Sequence, residues 1–224
     1  MISVAIDGPA GAGKSTLSRK VAEHFGFIYV DTGALYRAVG LKFSREGATT
    51  ELNCDIDGIL SKTIVDIRFV DGEQRVFLDG ADVSDLIRTP EASMMASAVS
   101  AKPAVRAFLL EMQRKLAREN NVVMDGRDIG TVVLPNAEVK IYLTASAEVR
   151  AKRRYDELIA KGQTVDYKDV YEDMLKRDYN DMNRATAPLK QADDAVLADT
   201  SDVDFDGSLK LLIDIINKGI EAQK

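Results

Sequence analysis

Two hydrophobic periods alternate along the chain. The run Ile2-Ser3-Val4-Ala5-Ile6 is short, continuous and apolar, which reads as a buried strand. Behind it, Leu17, Val21, Ala22 and Phe25 recur at helical spacing between Ser15 and Phe25, and Gly26 stands where such a helix ends. Phe27-Ile28-Tyr29-Val30 predicts a second short strand. A second helix carries Leu35, Val39 and Phe43 inward and ends near Glu46-Gly47, with Asp31 or Thr32 able to cap its start.

Between residues 63 and 83 the period drops to two. Thr63 to Val70 alternates, Asp71-Gly72 is a hairpin signal, Arg75-Val76-Phe77-Leu78 returns, and Asp79-Gly80 turns again. This predicts an antiparallel meander of two or three strands, an insert at about 60–86. Helices resume at Thr89-Pro90-Glu91, with Thr as cap and Pro in the first turn. Pro103 starts another helix, with Val105, Leu109, Met112 and Leu116 on one face, ending at Asn120-Asn121. Val122-Val123-Met124 and Glu138 to Leu143 predict further buried strands. Two polar helices follow, Ala147 to Lys161 and about Asp166 to Arg184, broken at Gly162-Gln163-Thr164 and closed by Pro188. A last strand at Ala195 to Ala198 precedes an amphipathic helix marked by Leu209, Leu212, Ile213, Ile216 and Ile220. Strands alternating with helices predict the α/β class: a parallel sheet flanked by helices, here with a small antiparallel β insert.

The first connection carries chemistry. Gly8-Pro9-Ala10-Gly11-Ala12-Gly13-Lys14-Ser15 fits G-x-x-x-x-G-K-[ST], and strand, loop and helix are the context that pattern needs. Its glycines let backbone N–H groups converge, and the helix start adds unpaired N–H groups and a positive dipole end. Lys14 would reach the β- and γ-phosphates of a nucleoside triphosphate, and the Ser15 hydroxyl would coordinate Mg²⁺. Asp125 ends a buried strand; it is either an acid that binds Mg²⁺ through water or part of an ordinary Asp-Gly turn. Arg37 stands close to the end of the second strand, either solvated or meeting an acceptor phosphate in the crevice beyond the sheet. Arg150, Lys152, Arg153, Arg154, Lys176, Arg177 and Arg184 are either a solvated face or a helical hairpin that covers bound phosphates.

Composition narrows the classes. The 224 residues are 46% hydrophobic with a formal charge of −6, which argues against a binder of duplex nucleic acid or of a membrane surface. No apolar run approaches the ~18 residues of a membrane span. One cysteine, Cys54, allows no internal disulfide and points to a reducing cytoplasm. One histidine, His24, lies on the first helix and reads as a surface residue, so a zinc site of the usual ligands is not expected.

Four stretches then narrow the reading further: Gly8 to Thr16, Asp31-Thr32-Gly33-Ala34-Leu35-Tyr36-Arg37, Asp125-Gly126-Arg127-Asp128-Ile129-Gly130-Thr131, and Asn183-Arg184-Ala185-Thr186-Ala187-Pro188-Leu189. In residues and order they resemble the bacterial cytidylate kinases, over essentially the whole chain and including the insert. The Asp-Gly-Arg-Asp-Ile-Gly-Thr stretch and the insert are the most specific features. The resemblance implies ATP-dependent phosphorylation of CMP and dCMP by one P-loop kinase domain over 1–224. It also implies an acceptor region over 31–106 and a mobile helical LID over 150–186.

It assigns ATP to Gly8, Pro9, Ala10, Gly11, Ala12, Gly13, Lys14, Ser15 and Thr16. It assigns CMP to Thr32, Tyr36, Arg37, Ser97, Arg106, Arg127, Asp128, Asp181 and Arg184. Lys14, Arg127, Arg177 and Arg184 are the catalytic set, and Ser15 with Asp125 the Mg²⁺ site. The implied protein is a cytoplasmic monomer with small-molecule substrates, without a nucleic-acid polymer or membrane as partner. Two departures stand out: Thr32 where serine is also common, and Asn180 and Met182 where some members carry arginine, leaving a less basic LID. The alternatives are a kinase for another small acceptor, such as another nucleotide or shikimate, and a nucleotide-dependent switch without transfer. The N-K-x-D pattern of many guanine-binding switches is missing.

Overall fold

A computed structural model describes residues 1–70 and 72–222. In chain order, β1 (Ser3–Asp7), α1 (Lys14–Phe25), β2 (Ile28–Asp31) and α2 (Thr32–Arg45) form two strand–helix units. A one-turn α3 (Ile56–Leu60) leads into β3 (Val65–Val70), β4 (Glu73–Leu78) and β5 (Ala81–Asp82). Then come α4 (Pro90–Ser100), α5 (Pro103–Glu119), β6 (Val122–Gly126), β7 (Val139–Thr144), α6 (Ala147–Ala160), α7 (Tyr167–Asn183), β8 (Val196–Asp199) and α8 (Phe205–Glu221).

The main sheet has five strands in the order β2-β6-β1-β7-β8, and every pairing in it is parallel. β1 is central, so the loop that follows it opens at the middle of the sheet's C-terminal edge, where ligands of open α/β sheets sit. Register aligns three acids at that edge. Asp31 stands opposite Asp125, and Asp7 opposite Gly126 one residue on. β3, β4 and β5 form a separate antiparallel sheet.

Burial follows from the faces these elements present. Val4, Ile6, Ile141 and Leu143 of the sheet meet Leu17 and Val21 of α1 and Leu212 and Ile216 of α8. A second cluster joins Leu35, Val39 and Phe43 of α2 to Val99 and Leu109 on one side and to Val65, Val76 and Leu78 of the insert on the other. The insert is therefore seated on α2, the helix that follows the second strand.

The α/β class, the antiparallel insert and the order of elements agree with the sequence reading. Asp31, not Thr32, caps α2, its carboxylate accepting the Ala34 N–H at 3.0 Å. Thr89 caps α4 in the same way, at 3.1 Å from the Ala92 N–H. Several boundaries differ. β1 runs through Asp7, because the carboxylate finds buried donors and need not leave the strand. α3 is too short for a helical period to register. On α5 the buried line is Val105, Leu109, Gln113 and Ala117, one position round from Met112 and Leu116. A π-helical turn, Ile129–Val133, follows Asp128 where no element was expected. In the Asp71-Gly72 hairpin signal, Gly72 takes a φ of +79°, while Asp71 lies outside the described residues. His24 is exposed as expected. Among the described residues no helix is long and apolar enough to cross a membrane.

Candidate active site

The loop between β1 and α1 fits under β7 only because Gly8 has no side chain. A Cβ there would lie 1.9 Å from the Leu143 carbonyl oxygen, at a φ of +154°. Gly11 and Gly13 also take positive φ, and Gly13 caps α1 without a side chain. Lys14 follows, buried, its Nζ 2.7 Å from the Pro9 carbonyl oxygen. Burial pulls the Lys14 ammonium below its ordinary pKa, and Arg127 adds repulsion. Asp125 and Asp181 act the other way.

Ser15 donates its hydroxyl to Asp125 Oδ2 at 2.9 Å. Tyr29 reaches the other carboxylate oxygen at 3.3 Å, and Thr32 Oγ1 donates to the Asp125 carbonyl at 2.7 Å. Burial pushes the Asp125 carboxyl up, and Asp31 beside it in the sheet adds to the shift. A buried carboxylate held up in this way gains from a cation. The hydroxyl and carboxylate oxygens are hard donors of the kind Mg²⁺ uses alongside waters and substrate phosphates, so the pair fits that ion. Among the described residues no three His, Cys, Asp or Glu side chains gather elsewhere into a metal cluster.

A cavity of about 350 Å³ opens from this loop across the sheet's edge toward α4 and α7. Residues Ala10 to Thr16, Thr32, Tyr36, Arg37, Ser97, Arg106, Asp125, Arg127, Asp128, Arg177, Asp181 and Arg184 all line it. Of the residues assigned to ATP, acceptor, catalysis or Mg²⁺ from sequence, only Gly8 and Pro9 stand off its wall: one lies against β7, the other orients Lys14; of the basic residues on the two polar helices, Arg150, Lys152, Arg153 and Lys176 also stand off it. Asn180 and Met182, the two departures on α7, do not line it either.

The far end of the cavity is built on Asp128. This acid is 4% exposed, and its side chain caps nothing. Its carboxylate pairs with the Arg106 guanidinium and, at 3.3 Å, with Arg184 Nη2. Arg106 also lies over the Tyr36 ring, 5.6 Å from its centroid. Burial raises the Asp128 pKa, against the pull of both arginines. Nearer the phosphate loop, Arg127 Nε meets Asp181 at 2.7 Å, tying α7 to the end of β6. Arg37 Nη2 meets Asp31 at 2.8 Å, while its Nε is buried without a partner. The crevice thus presents acids and guanidinium groups already oriented by one another.

Sequence reasoning missed two supports of this site, Asp7 and Gln74, and left two more, Arg150 and Arg154, open between a solvated face and a cover for phosphates. Asp7 accepts the Ile129 and Gly130 N–H groups, each at 2.7 Å, and so anchors the turn that carries Arg127 and Asp128. Its signal was present: a carboxylate inside an apolar strand must find donors. Arg150 is 5% exposed and spans three pieces: the Ala10 carbonyl of the phosphate loop (2.9 Å), the Ala145 carbonyl (2.8 Å) and Asp178 of α7 (2.7 Å). Arg154 lines the cavity from α6. Gln74 bonds the end of β2 from the insert. For the last three, no sequence signal separates them from a solvated polar residue.

Comparison with known proteins came out uniformly. A family model described as "Cytidylate kinase" matches residues 4–218. The chain is 50% identical over 222 residues to the cytidylate kinase of Caldicellulosiruptor bescii, covering 99% of this chain and 98% of that one. It is 49% identical over 217 residues to the cytidylate kinase of Carboxydothermus hydrogenoformans, covering 96% and 97%. Among solved structures, an uncharacterized protein from Eubacterium ventriosum superposes with a TM-score of 0.51 at 14% identity, covering 99% of both chains, which is a likeness of fold.

Proposed function

The chain belongs to the cytidylate kinase family, and from that premise we propose that it transfers the γ-phosphoryl group of ATP to CMP and dCMP, giving ADP with CDP or dCDP. The observation that carries this reading is the pairing, in one cavity, of a phosphate loop at one end with the buried Asp128–Arg106–Arg184 cluster at the other. The first suits a triphosphate. The second suits a cytosine, whose N4 amino group needs an acceptor and whose N3 and O2 need a donor.

The transfer forms a bond between an oxygen of the acceptor's phosphate and the γ-phosphorus, and breaks the bond to the β–γ bridging oxygen, which leaves with ADP. That nucleophile is already largely ionised near neutral pH, so the chain needs no strong general base. Its task is in-line placement and neutralisation of charge. Lys14 and the loop N–H groups hold the triphosphate. Arg37 holds the acceptor phosphate, and Arg127, Arg177 and Arg184 offset the charge shared between the two anions. Ser15 and Asp125 would hold Mg²⁺, which when bound neutralises charge across the β- and γ-phosphates. Thr32, Tyr36, Ser97 and Asp181 complete the acceptor wall.

The region 31–106, with its insert, serves the acceptor. The helical pair within 150–186 acts as a LID whose closure excludes water from the phosphoryl group. The protein works as a cytoplasmic monomer on small nucleotides, with no nucleic-acid polymer or membrane as partner. A switch without transfer, or a kinase for an acceptor such as shikimate, is disfavoured by the match to a cytidylate kinase model along nearly the whole chain. Incubation with ATP, Mg²⁺ and CMP, followed by chromatography, tests the reading: CDP and ADP should appear in equal amounts. ADP formed without CDP would overturn it.

A further inference from the structure

Gln74 joins the insert to the acceptor site by two hydrogen bonds to one residue. Its Oε1 accepts the Asp31 N–H at 2.8 Å, and its Nε2 donates to the Asp31 carbonyl oxygen at 3.3 Å. β2 is the edge strand of the main sheet, with β6 on one side, so the Gln74 amide takes the place of a strand on the other. Asp31 then makes two contacts with its carboxylate. Oδ1 caps α2 through the Ala34 N–H, and Oδ2 holds the Arg37 guanidinium at 2.8 Å. Arg37 lines the cavity and keeps a buried Nε without a partner.

Apolar packing seats β4 on α2 through Val76 and Leu78, but it does not close the space beside Gln74. A cavity of about 490 Å³ lies between α1, β2 and the insert, with Asp31, Arg37 and Gln74 all on its wall. Across it, Arg19 and Glu73 are 3.8 Å apart and both exposed, a contact worth little. β6 holds Asp31 from one side of the strand, and on the open side the amide is what fixes it, and through it Arg37. Only an amide of this length both accepts from the N–H and donates to the carbonyl; a carboxylate would lose the donor and face Asp31 with like charge.

The geometry points to Gln74 as a positioning residue for the acceptor's phosphate, acting through Asp31 on Arg37; this rests on the reading of Arg37 as the group that meets that phosphate. The insert thereby reaches the reacting end of the acceptor, not only its base.

Gln74→Met keeps length and volume and removes both bonds. Steady-state kinetics should show the KM for CMP rising about fivefold to tenfold, the loss of about one oriented hydrogen bond. The KM for ATP and kcat should stay within about twofold of wild type. Calorimetric binding of cytidine, which lacks the phosphate, should not change. In an Arg37→Ala background the substitution should have no further effect. An unshifted CMP KM, an equal weakening of cytidine, or an undiminished effect once Arg37 is gone would overturn the inference. If Gln74→Met melts below the assay temperature, Gln74→Asn, polar but too short to reach Asp31, is read by the same criteria. Failure of the wild type to phosphorylate CMP would instead remove the functional reading on which the inference rests.

Discussion

Asp7 binds Gly130, 123 positions further along the chain: its Oδ2 accepts the Gly130 N–H at 2.7 Å, and its Oδ1 accepts the neighbouring Ile129 N–H at 2.7 Å. The last residue of β1 thus orients the turn after β6, and the phosphate loop and the Arg127–Asp128 pair share one anchor. Burial raises Asp7 from its ordinary 3.8 to about 6, although both N–H groups pull it down. The folded protein therefore keeps this proton up to about pH 6, where the unfolded chain has lost it. The stability linked to Asp7 is fully present below about pH 4 and is lost as pH rises through 6, by up to about 3 kcal/mol. Urea unfolding of wild type and Asp7→Asn from pH 4 to 7.5 checks this: the difference between them should move in favour of the variant as pH rises. A pH-independent difference would contradict it.

Lys14 is held by the Pro9 carbonyl of the loop, and the proposed function gives it the β- and γ-phosphates. Lys14→Ala should lower turnover by at least ~100-fold, the usual worth of one electrostatic group at such a site. Circular dichroism should show an intact fold. Near-normal turnover in a folded variant would remove Lys14 from the reaction.

Asp128 can accept from the cytosine amino group and cannot donate to the uracil O4 while ionised. Asp128→Asn can do both. Its kcat/KM for CMP should fall by roughly 1–3 kcal/mol of transition-state binding, and the CMP to UMP ratio should narrow. Kinetics with both acceptors decide the matter, since an unchanged ratio assigns Asp128 to structure alone.

Arg150 and Asp178 form a buried ion pair between α6 and α7, with Arg150 also on the phosphate loop. Asp178→Ala leaves that guanidinium with two carbonyl partners and no counter-charge, which costs about 3–5 kcal/mol where the pair is fully buried. Hydrogen exchange should quicken across 166–184 while the β1 strand stays protected. Uniform quickening through the whole sheet would mean that the pair stabilises the core and not the α7 contact.

Most of the scaffold was legible because its signals are local. Hydrophobic period, caps such as Asp31 and Thr89, and the glycine loop are each written in a few adjacent residues. Part of the cavity wall was legible as chemistry attached to motifs, since Lys14, Arg127 and Asp128 sit in recognisable stretches; Ser97, Arg106 and Asp181 lie in none and came only from the family resemblance. What escaped, or for Arg150 stayed open, were supports created by distant partners. Asp7 depends on N–H groups far along the chain, Arg150 on a carbonyl 140 residues away, and Gln74 on a residue 43 positions earlier. A side chain's partner across the fold leaves no trace in its neighbours. The π-helical turn escaped for a related reason: Asp7 binds two of its N–H groups and Arg114 two of its carbonyls, both from distant parts of the chain.

The central claim is that this chain phosphorylates cytidine monophosphates. Acceptor-dependent ADP release, measured in a coupled assay with ATP and Mg²⁺ against CMP, dCMP, UMP, AMP and shikimate, tests it most directly. CMP and dCMP should give the highest kcat/KM, UMP a lower value, and AMP and shikimate only the background rate. ADP release that is independent of any acceptor, or fastest with AMP or shikimate, would contradict the claim.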